Sequence, residues 1–314
     1  MNKSEELKLL SKIARLYYLE DLNQQAIAEN LNISRTKVSR YLTKARKEKI
    51  VEIRINSHRE MFEELERGIE KKFGIKECLL VCSSEDIRET YGQMAASLAG
   101  LLERFLKDDD YLGVGWGTTL KSVAGCLEPD KRIDIKVIPL LGGLGKTDIQ
   151  VHTNSVARAL ADSFGGKSYV LNSPAVLDSR EVKEMLEKES SIHEILEMFE
   201  KVHTAVLGMS DIGTDSTMIQ SGNFTVDDFN YLAGLGAVGD VNLIFINEKG
   251  LPVANRLDNR IVKISFEKLK KINNVIGIAF GEKKLKVISG ALSCRLVNIL
   301  ITDEFTGLKL LNNF

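Results

Sequence analysis

The chain has 314 residues, with 43 Lys+Arg against 44 Asp+Glu and a net charge of −1. At about 150 residues per domain, that length suggests two domains. Hydrophobic residues make up 44% and charged residues 28%, a globular mix that excludes a disordered chain, a collagen and a disulfide scaffold.

The neutral total hides a local imbalance. Residues 1–55 carry 12 basic and 7 acidic side chains, a net +5, which leaves −6 on the remainder. Within residues 31–50, seven bases face the single acid Glu48. The first glycine is Gly68 and the first proline Pro129, so the basic head is free of helix breakers. The expected division is a head over 1–56 and a body over 57–314, with residues 57–74 as a connector helix.

The first helix is expected over Glu5 to Leu19, with Leu7, Leu10, Ala14 and Tyr17 forming one apolar stripe. Asn23 caps a short second helix, Gln24 to Asn30, with Ala26, Ile27 and Leu31 inward. Asn32 sits in a tight turn, a place that asparagine tolerates. Ser34 caps a third helix, Arg35 to Lys47, whose Val38, Leu42 and Ala45 share a face. The opposite face is basic and hydroxylated. This is the layout of a helix-turn-helix whose second helix lies in the major groove of double-stranded DNA. The candidate DNA contacts are Gln24, Gln25, Ser34, Arg35, Thr36, Lys37, Ser39, Arg40 and Lys44. Arg40 offers a bidentate fork to guanine. Lys44, Arg46 and Lys47 suit phosphates. Val51 to Ile55 alternates like a strand, and Arg59 to Phe73 reads as an amphipathic helix with Phe62, Leu65, Ile69 and Phe73 inward.

Beyond it, short apolar runs alternate with helical periods. Strands are expected at Cys78–Cys82, Leu112–Trp116, Ile135–Leu141, Ser168–Leu171, Ala205–Met209, Val241–Ile246, Val275–Phe280 and Asn298–Thr302. Helices are expected at Glu89–Leu106, Val151–Phe164, Val182–Glu187, Ile192–Glu200, Val226–Gly234, Leu285–Leu292 and Glu304–Leu311. Such alternation implies an α/β fold with a mainly parallel sheet covered on both faces. Ligands of these sheets sit at the carboxyl ends of the strands.

Four glycine-marked segments fall at such positions. Gly113 to Leu120 follows a strand and opens a helix, where the N–H groups and the hydroxyls of Thr118 and Thr119 suit a phosphate. It lacks the dinucleotide and Gly-Lys-Ser/Thr spacings, so neither NAD nor ATP is indicated. Leu140 to Gly145 follows the next strand, with His152 and Asn154 beyond it. Gly236 to Asp240 precedes a strand, and Asp240 there is either a turn residue or an acceptor for sugar hydroxyls. Phe280 to Lys284 brings a lysine able to pair with phosphate. Together they suggest one anionic-ligand pocket for a phosphorylated sugar or polyol. The four cysteines, Cys78, Cys82, Cys126 and Cys294, read as small core residues. The scattered histidines give no metal pattern, and no cofactor is expected.

These motifs carry a family resemblance. Asn23-Gln-Gln-Ala-Ile-Ala-Glu-Asn-Leu-Asn-Ile-Ser-Arg-Thr-Lys-Val-Ser-Arg-Tyr-Leu42, Gly115-Trp-Gly-Thr-Thr, Gly142-Gly-Leu-Gly, Gly236-Ala-Val-Gly-Asp240, Gly281 to Lys284 and Leu300-Ile-Thr-Asp303 occur in the order seen in the SorC family of sugar-responsive transcriptional regulators. The resemblance spans almost the whole chain. It implies a body similar to phosphosugar isomerases that senses an effector without chemistry, and dimers or tetramers on palindromic operators. It also implies effector contacts at Gly117, Thr118, Thr119, Gly142, Gly143, His152, Asn154, Asp240 and Lys284. Deoxyribonucleoside regulators of this family carry a lysine before the Gly-Gly pair, and glycolytic-gene regulators carry an arginine. Here the position is Leu141, which favours a mono-phosphorylated or unphosphorylated sugar or alditol. The expected function is a DNA-binding regulator of a carbohydrate operon. The alternative is a phosphosugar isomerase-like enzyme with a DNA-binding head, using Asp240 or Glu282 as general base. The N-terminus, Met1 to Glu6, lacks the apolar core of a secretion signal. No apolar stretch reaches the roughly 18 residues needed to cross a bilayer. A cytoplasmic location and no membrane partner are therefore expected.

Overall fold

The computed structural model describes residues 3–48, 50–51, 58–143, 153–213 and 216–313. These form two compact units, Met1–His58 and Arg59–Phe314.

The first unit holds α1 (Lys3–Tyr18), α2 (Gln24–Asn30) and α3 (Arg35–Lys47). Local chemistry sets its boundaries. Asn23 Oδ1 accepts from the Ala26 N–H at 2.9 Å, and Ser34 Oγ accepts from the Lys37 N–H at 3.3 Å, so both caps act as their sequence positions predict. Between them Asn32 turns the chain at φ +53°. Leu10, Ile13, Ile27, Val38 and Ala45 are fully buried, and Ala14, Ala28, Tyr41 and Leu42 nearly so. The stripe on α1 is displaced from the expected one: Leu7 is exposed and Ile13 takes its place inside. The expected strand over Val51–Ile55 falls, apart from Val51, outside the described residues.

In the second unit α4 (His58–Phe73) is followed by β1 (Glu77–Val81), α5 (Ile87–Phe105), β2 (Tyr111–Val114), α6 (Thr118–Gly125) and β3 (Lys136–Pro139). Next come α7 (Thr153–Phe164), β4 (Lys167–Ser168), α8 (Arg180–Leu186), α9 (Ser190–Met198) and β5 (Val202–Asp211). The chain continues through α10 (Thr217–Gln220), α11 (Val226–Gly234), β6 (Ala237–Val241), β7 (Ile244–Asn247) and α12 (Phe266–Lys271). It ends with β8 (Asn274–Ile278), α13 (Leu285–Ser293), β9 (Ile299–Asp303) and α14 (Glu304–Asn313). The main sheet runs β1-β9-β8-β5-β2-β3-β4 with all its pairs parallel. Two large apolar clusters lie against this sheet. One includes Ile138, Leu207, Ile288 and Leu300, the other Leu98, Val114, Leu160 and Ile276.

Three expectations are corrected here. The run Val241–Ile246 is two strands, because Asn242 and Leu243 adopt φ +54° and +60° and fold it into a hairpin with Val241 opposite Ile244. Two left-handed residues are what a two-residue hairpin turn requires. Gly236–Asp240 lies mostly within β6 rather than in a loop before it. Cys78 is buried as expected, but Cys126 is exposed at the end of α6.

The topology creates a crevice. From β2 the chain steps outward through β3 and β4, then returns to β5 on the other side of β2 and steps away through β8 and β9. The connections leaving β2 and β5 therefore diverge, which opens a cleft at their carboxyl ends. Beyond Gly208, the last β5 residue paired with β8, β5 continues to Asp211 and pairs antiparallel with β6, Ser210 facing Asp240.

Candidate functional site

A partly open cleft lies between β2 and β5. Its lining includes Trp116 to Leu120, Gly208 to Ser210, Thr217, Asp240, Ile278 and Lys284.

Each part arrives by a local necessity. Gly117 precedes α6 at φ +131°, a conformation that a side chain would resist, and its own side cannot cap the helix. The first N–H groups of α6, from Thr118 onward, are thus left facing the cleft with the positive end of the helix dipole. Thr118 is exposed to it, and Thr119 is 7% exposed. Gly208 and Gly239 let strands close up: a Cβ on Gly208 would lie 2.8 Å from the Trp116 carbonyl oxygen, and one on Gly239 would lie 2.3 Å from the Ser210 carbonyl oxygen. That packing draws β6 against β5 and places Asp240 in the cleft wall.

Asp240 is 1% exposed. Its Oδ2 accepts from the Leu243 N–H at 2.7 Å, while Oδ1 is buried without a partner. Burial pushes its pKa up to about 7, against the pull of the Leu243 N–H, Lys263 and Lys284, and Asp211 pushes further upward. Lys284 closes a single 3₁₀ turn that starts after Gly281, at φ +99°. Burial lowers the Lys284 pKa, and the carboxylates of Asp211 and Asp240 oppose that shift. A carboxyl with an idle oxygen, a half-desolvated ammonium, two threonines and a helix N-terminus thus converge on one cleft. Such a set has the donors and acceptors to take a phosphate at one end and hydroxyl groups at the other.

Five residues singled out from the sequence meet here: Gly117, Thr118, Thr119, Asp240 and Lys284. Three do not line the cleft. A Cβ on Gly142 would lie 2.7 Å from the Pro174 carbonyl oxygen, so this glycine allows a close backbone approach. Gly143 donates its N–H to the Ser173 carbonyl at 2.8 Å. Asn154 spends its amide on both backbone groups of Leu171, at 3.2 and 3.4 Å. These residues brace the strand ends. His152 lies outside the described residues. Leu141, in the position before the Gly-Gly pair, is fully buried in an apolar cluster. Sequence reading missed Trp116, Ser210 and Thr217 in the lining, and Asp211, whose charge acts on Asp240 and Lys284. A signal for two of them was present, since Ser210-Asp211 is a polar pair directly after the apolar run 205–209.

In the first unit Arg35, Thr36, Ser39 and Arg40 are exposed on α3, and Ser34 at its cap is exposed too. Gln25 is exposed and donates to Glu29 at 3.0 Å, and Gln24 is half-buried. Lys37 lies 5.8 Å from the ring centre of Tyr41, half-buried. Lys44 is part-exposed and engaged within its own unit. Its ammonium sits 2.5 Å from Glu6 and 3.6 Å from Glu48, inside the unit's own ion pairs.

Comparison with known proteins agrees with this fold. The family described as "Putative sugar-binding domain" matches residues 58–312. The deoxyribonucleoside regulator of Bacillus subtilis (strain 168) is 30% identical, over 98% of this chain and 99% of its own. The sorbitol operon regulator of Klebsiella pneumoniae is 29% identical, over 99% and 100%. The full-length crystal structure of the Klebsiella regulator superposes with a TM-score of 0.75, at 29% identity, covering 98% of this chain and 100% of that one. A DeoR family transcriptional regulator from Listeria monocytogenes gives a TM-score of 0.71 at 28% identity, covering 79% and 98%.

Proposed function

The chain belongs to the sugar-binding-domain family of transcriptional regulators, and from that membership we propose that it switches a carbohydrate-use operon in response to a sugar or sugar alcohol bound in the β2–β5 cleft. The observation that carries this reading is the convergence of Thr118, Thr119, Asp240 and Lys284 at the end of a parallel sheet, in a chain whose other unit presents a basic, capped helix.

The effector is a mono-phosphorylated sugar or alditol. Its phosphate takes the N–H groups at the start of α6 and the Lys284 ammonium. Its hydroxyls donate to Asp240 Oδ1, which has no protein partner. The buried Leu141 argues against a lysine imine or an arginine contact for a second phosphate at that position. On DNA, Arg40 reads a base edge while Arg35 and Lys37 meet phosphates. Two heads on one palindrome require a homo-oligomer, a dimer or tetramer. Effector binding acts by favouring one arrangement of the subunits, so it changes operator affinity by its differential affinity for the two. This role belongs in the cytoplasm and involves no membrane. Among the described residues no helix is long and apolar enough to cross one.

The protein is read as a sensor and not an enzyme. Asp240, with its pKa near neutrality, is the one group that supports the isomerase alternative. One experiment separates the two. DNA from upstream of the chain's own gene is titrated in a gel shift with and without each member of a sugar-phosphate panel, and each mixture is checked for conversion. A compound that changes the shift and is recovered unchanged supports the regulator; turnover of any compound supports the enzyme.

A further inference from the structure

Lys263 lines no part of the cleft, yet it is tied to it. The segment carrying it runs antiparallel to the end of β3: Leu141 bridges to Lys263, and Gly142 donates its N–H to the Val262 carbonyl. The Lys263 side chain is only 10% exposed. Its ammonium donates to the Leu243 carbonyl and to Asp258 Oδ1, both at 2.5 Å. On the far side of the same residue, the Leu243 N–H holds Asp240 Oδ2 at 2.7 Å.

A lysine stem usually carries its charge out to water, whereas this one turns inward, where burial lowers its pKa. Something must be gained at the inner end. Leu243 stands at φ +60°, an arrangement that a leucine adopts only when its surroundings impose it. Three contacts impose it: core burial of the side chain, Asp240 on the N–H, and Lys263 on the carbonyl. Releasing the carbonyl frees the 243–244 peptide, so that Leu243 can leave its left-handed φ and ψ and turn the preceding 242–243 peptide, which carries its N–H. The N–H then leaves Asp240 Oδ2, and the carboxyl in the cleft wall loses the bond that fixes it.

We propose that Lys263 is a positioning residue for the effector site, its ammonium locking the Asn242-Leu243 turn that aims Asp240 into the cleft. The proposal rests on reading Asp240 as an effector contact. It also gives the Gly142-Gly143 strand end, which does not reach the cleft, a path to it through the backbone of 261–263.

The charged groups around Asp240 are Lys263, Lys284 and Asp211, and those around Lys263 are Asp258, Asp240 and Lys183. The test uses sulfate, a phosphate stand-in whose charge is constant between pH 5.5 and 8.5. Calorimetric titration of the full chain follows sulfate affinity across that range. In the wild type, affinity rises as pH falls and Asp240 takes up a proton. Asp240→Asn removes that dependence. Lys263→Met withdraws a cation and the turn's anchor together, so the midpoint moves to higher pH by roughly half a unit or more. Lys263→Arg keeps both and holds the midpoint near the wild-type value. A Lys263→Met profile coincident with wild type, while Asp240→Asn is flat, overturns the positioning role alone. An Asp240→Asn profile identical to wild type, or no sulfate binding by the wild type, overturns the reading of the cleft and this role with it. Should Lys263→Met fail to fold, Asp258→Asn loosens the ammonium instead. It should shift the midpoint in the same direction by less, and an unmoved midpoint there also overturns the role.

Discussion

Glu6 on α1 and Lys44 on α3 are joined at 2.5 Å, so a lysine that the sequence offers as a phosphate contact is ion-paired within its own unit. The pairing favours both charged forms: it lowers the Glu6 pKa and raises that of Lys44. The two side chains are each about one-third exposed, so the contact adds little stability in water.

This separates Lys44 from Arg40 in a binding assay. Arg40→Ala should cost about 1–3 kcal/mol of operator binding and relax specificity at one base pair. Lys44→Ala should leave both the affinity and its salt dependence nearly unchanged. Anisotropy titrations of operator DNA at several salt concentrations check both. Unchanged affinity in Arg40→Ala would remove it from the interface.

Asp240 makes stability depend on pH with a definite sign. Its folded pKa of about 7 lies above the ordinary 3.8, so the folded state holds the proton more tightly than the unfolded chain. The stability this group contributes is complete below pH 3.8 and is lost as pH rises through 7. Asp240→Asn should therefore raise the melting temperature at pH 8, by the equivalent of roughly 1–3 kcal/mol, and change it little at pH 3.8. A melting curve with the same pH dependence in wild type and variant would contradict the buried, idle carboxyl.

Gly208 allows β5 to pass the Trp116 carbonyl at the cleft wall. Gly208→Ala should destabilise the chain by about 1–3 kcal/mol and weaken effector binding, because the displaced carbonyl enters the cleft. Thermal melts and effector titrations read the two effects separately. A variant as stable as wild type would show that the two strands are not in close contact.

Glu66 on α4 accepts from the Leu80 N–H at 2.8 Å, and Glu70 accepts from the Cys78 N–H at 2.9 Å. β1 pairs only with β9, so these carboxylates cover the donors of an edge strand. Glu66→Ala should cost about 1–3 kcal/mol by stranding a donor, whereas Glu66→Gln retains an acceptor and is nearly neutral. Amide exchange at Leu80 should accelerate in the alanine variant alone.

The head was legible in the sequence because its signals are local. Asn23 and Ser34 act through bonds to residues two or three positions away, Asn32 acts through its own left-handed backbone, and α2 and α3 fall where the caps predict. The parallel sheet was legible from apolar runs alternating with helical periods. The Asn242-Leu243 turn was hidden because a buried leucine in a left-handed conformation has no composition signal; packing, Asp240 and Lys263 impose it. Gly239 read as a loop residue, but its lack of a side chain serves strand contact with Ser210, a partner 29 positions away. Gly142, Gly143 and Asn154 matched motifs yet brace the backbone, since a motif records which residues recur together without separating ligand contacts from their supports. The cleft itself depends on strand order, which brings residues 116–120, 208–210, 240 and 284 together only in three dimensions.

The central claim is that the β2–β5 cleft binds a phosphorylated sugar or alditol through Lys284. The most direct measurement is a thermal-shift panel of free and phosphorylated pentoses, hexoses and alditols on wild type and Lys284→Ala. A ligand that binds the folded state at about 100 times its Kd stabilises it by about 2.7 kcal/mol. The account predicts that at least one phosphorylated compound raises the wild-type melting temperature and leaves that of Lys284→Ala unmoved. A panel that stabilises neither protein, or stabilises both equally, would contradict it.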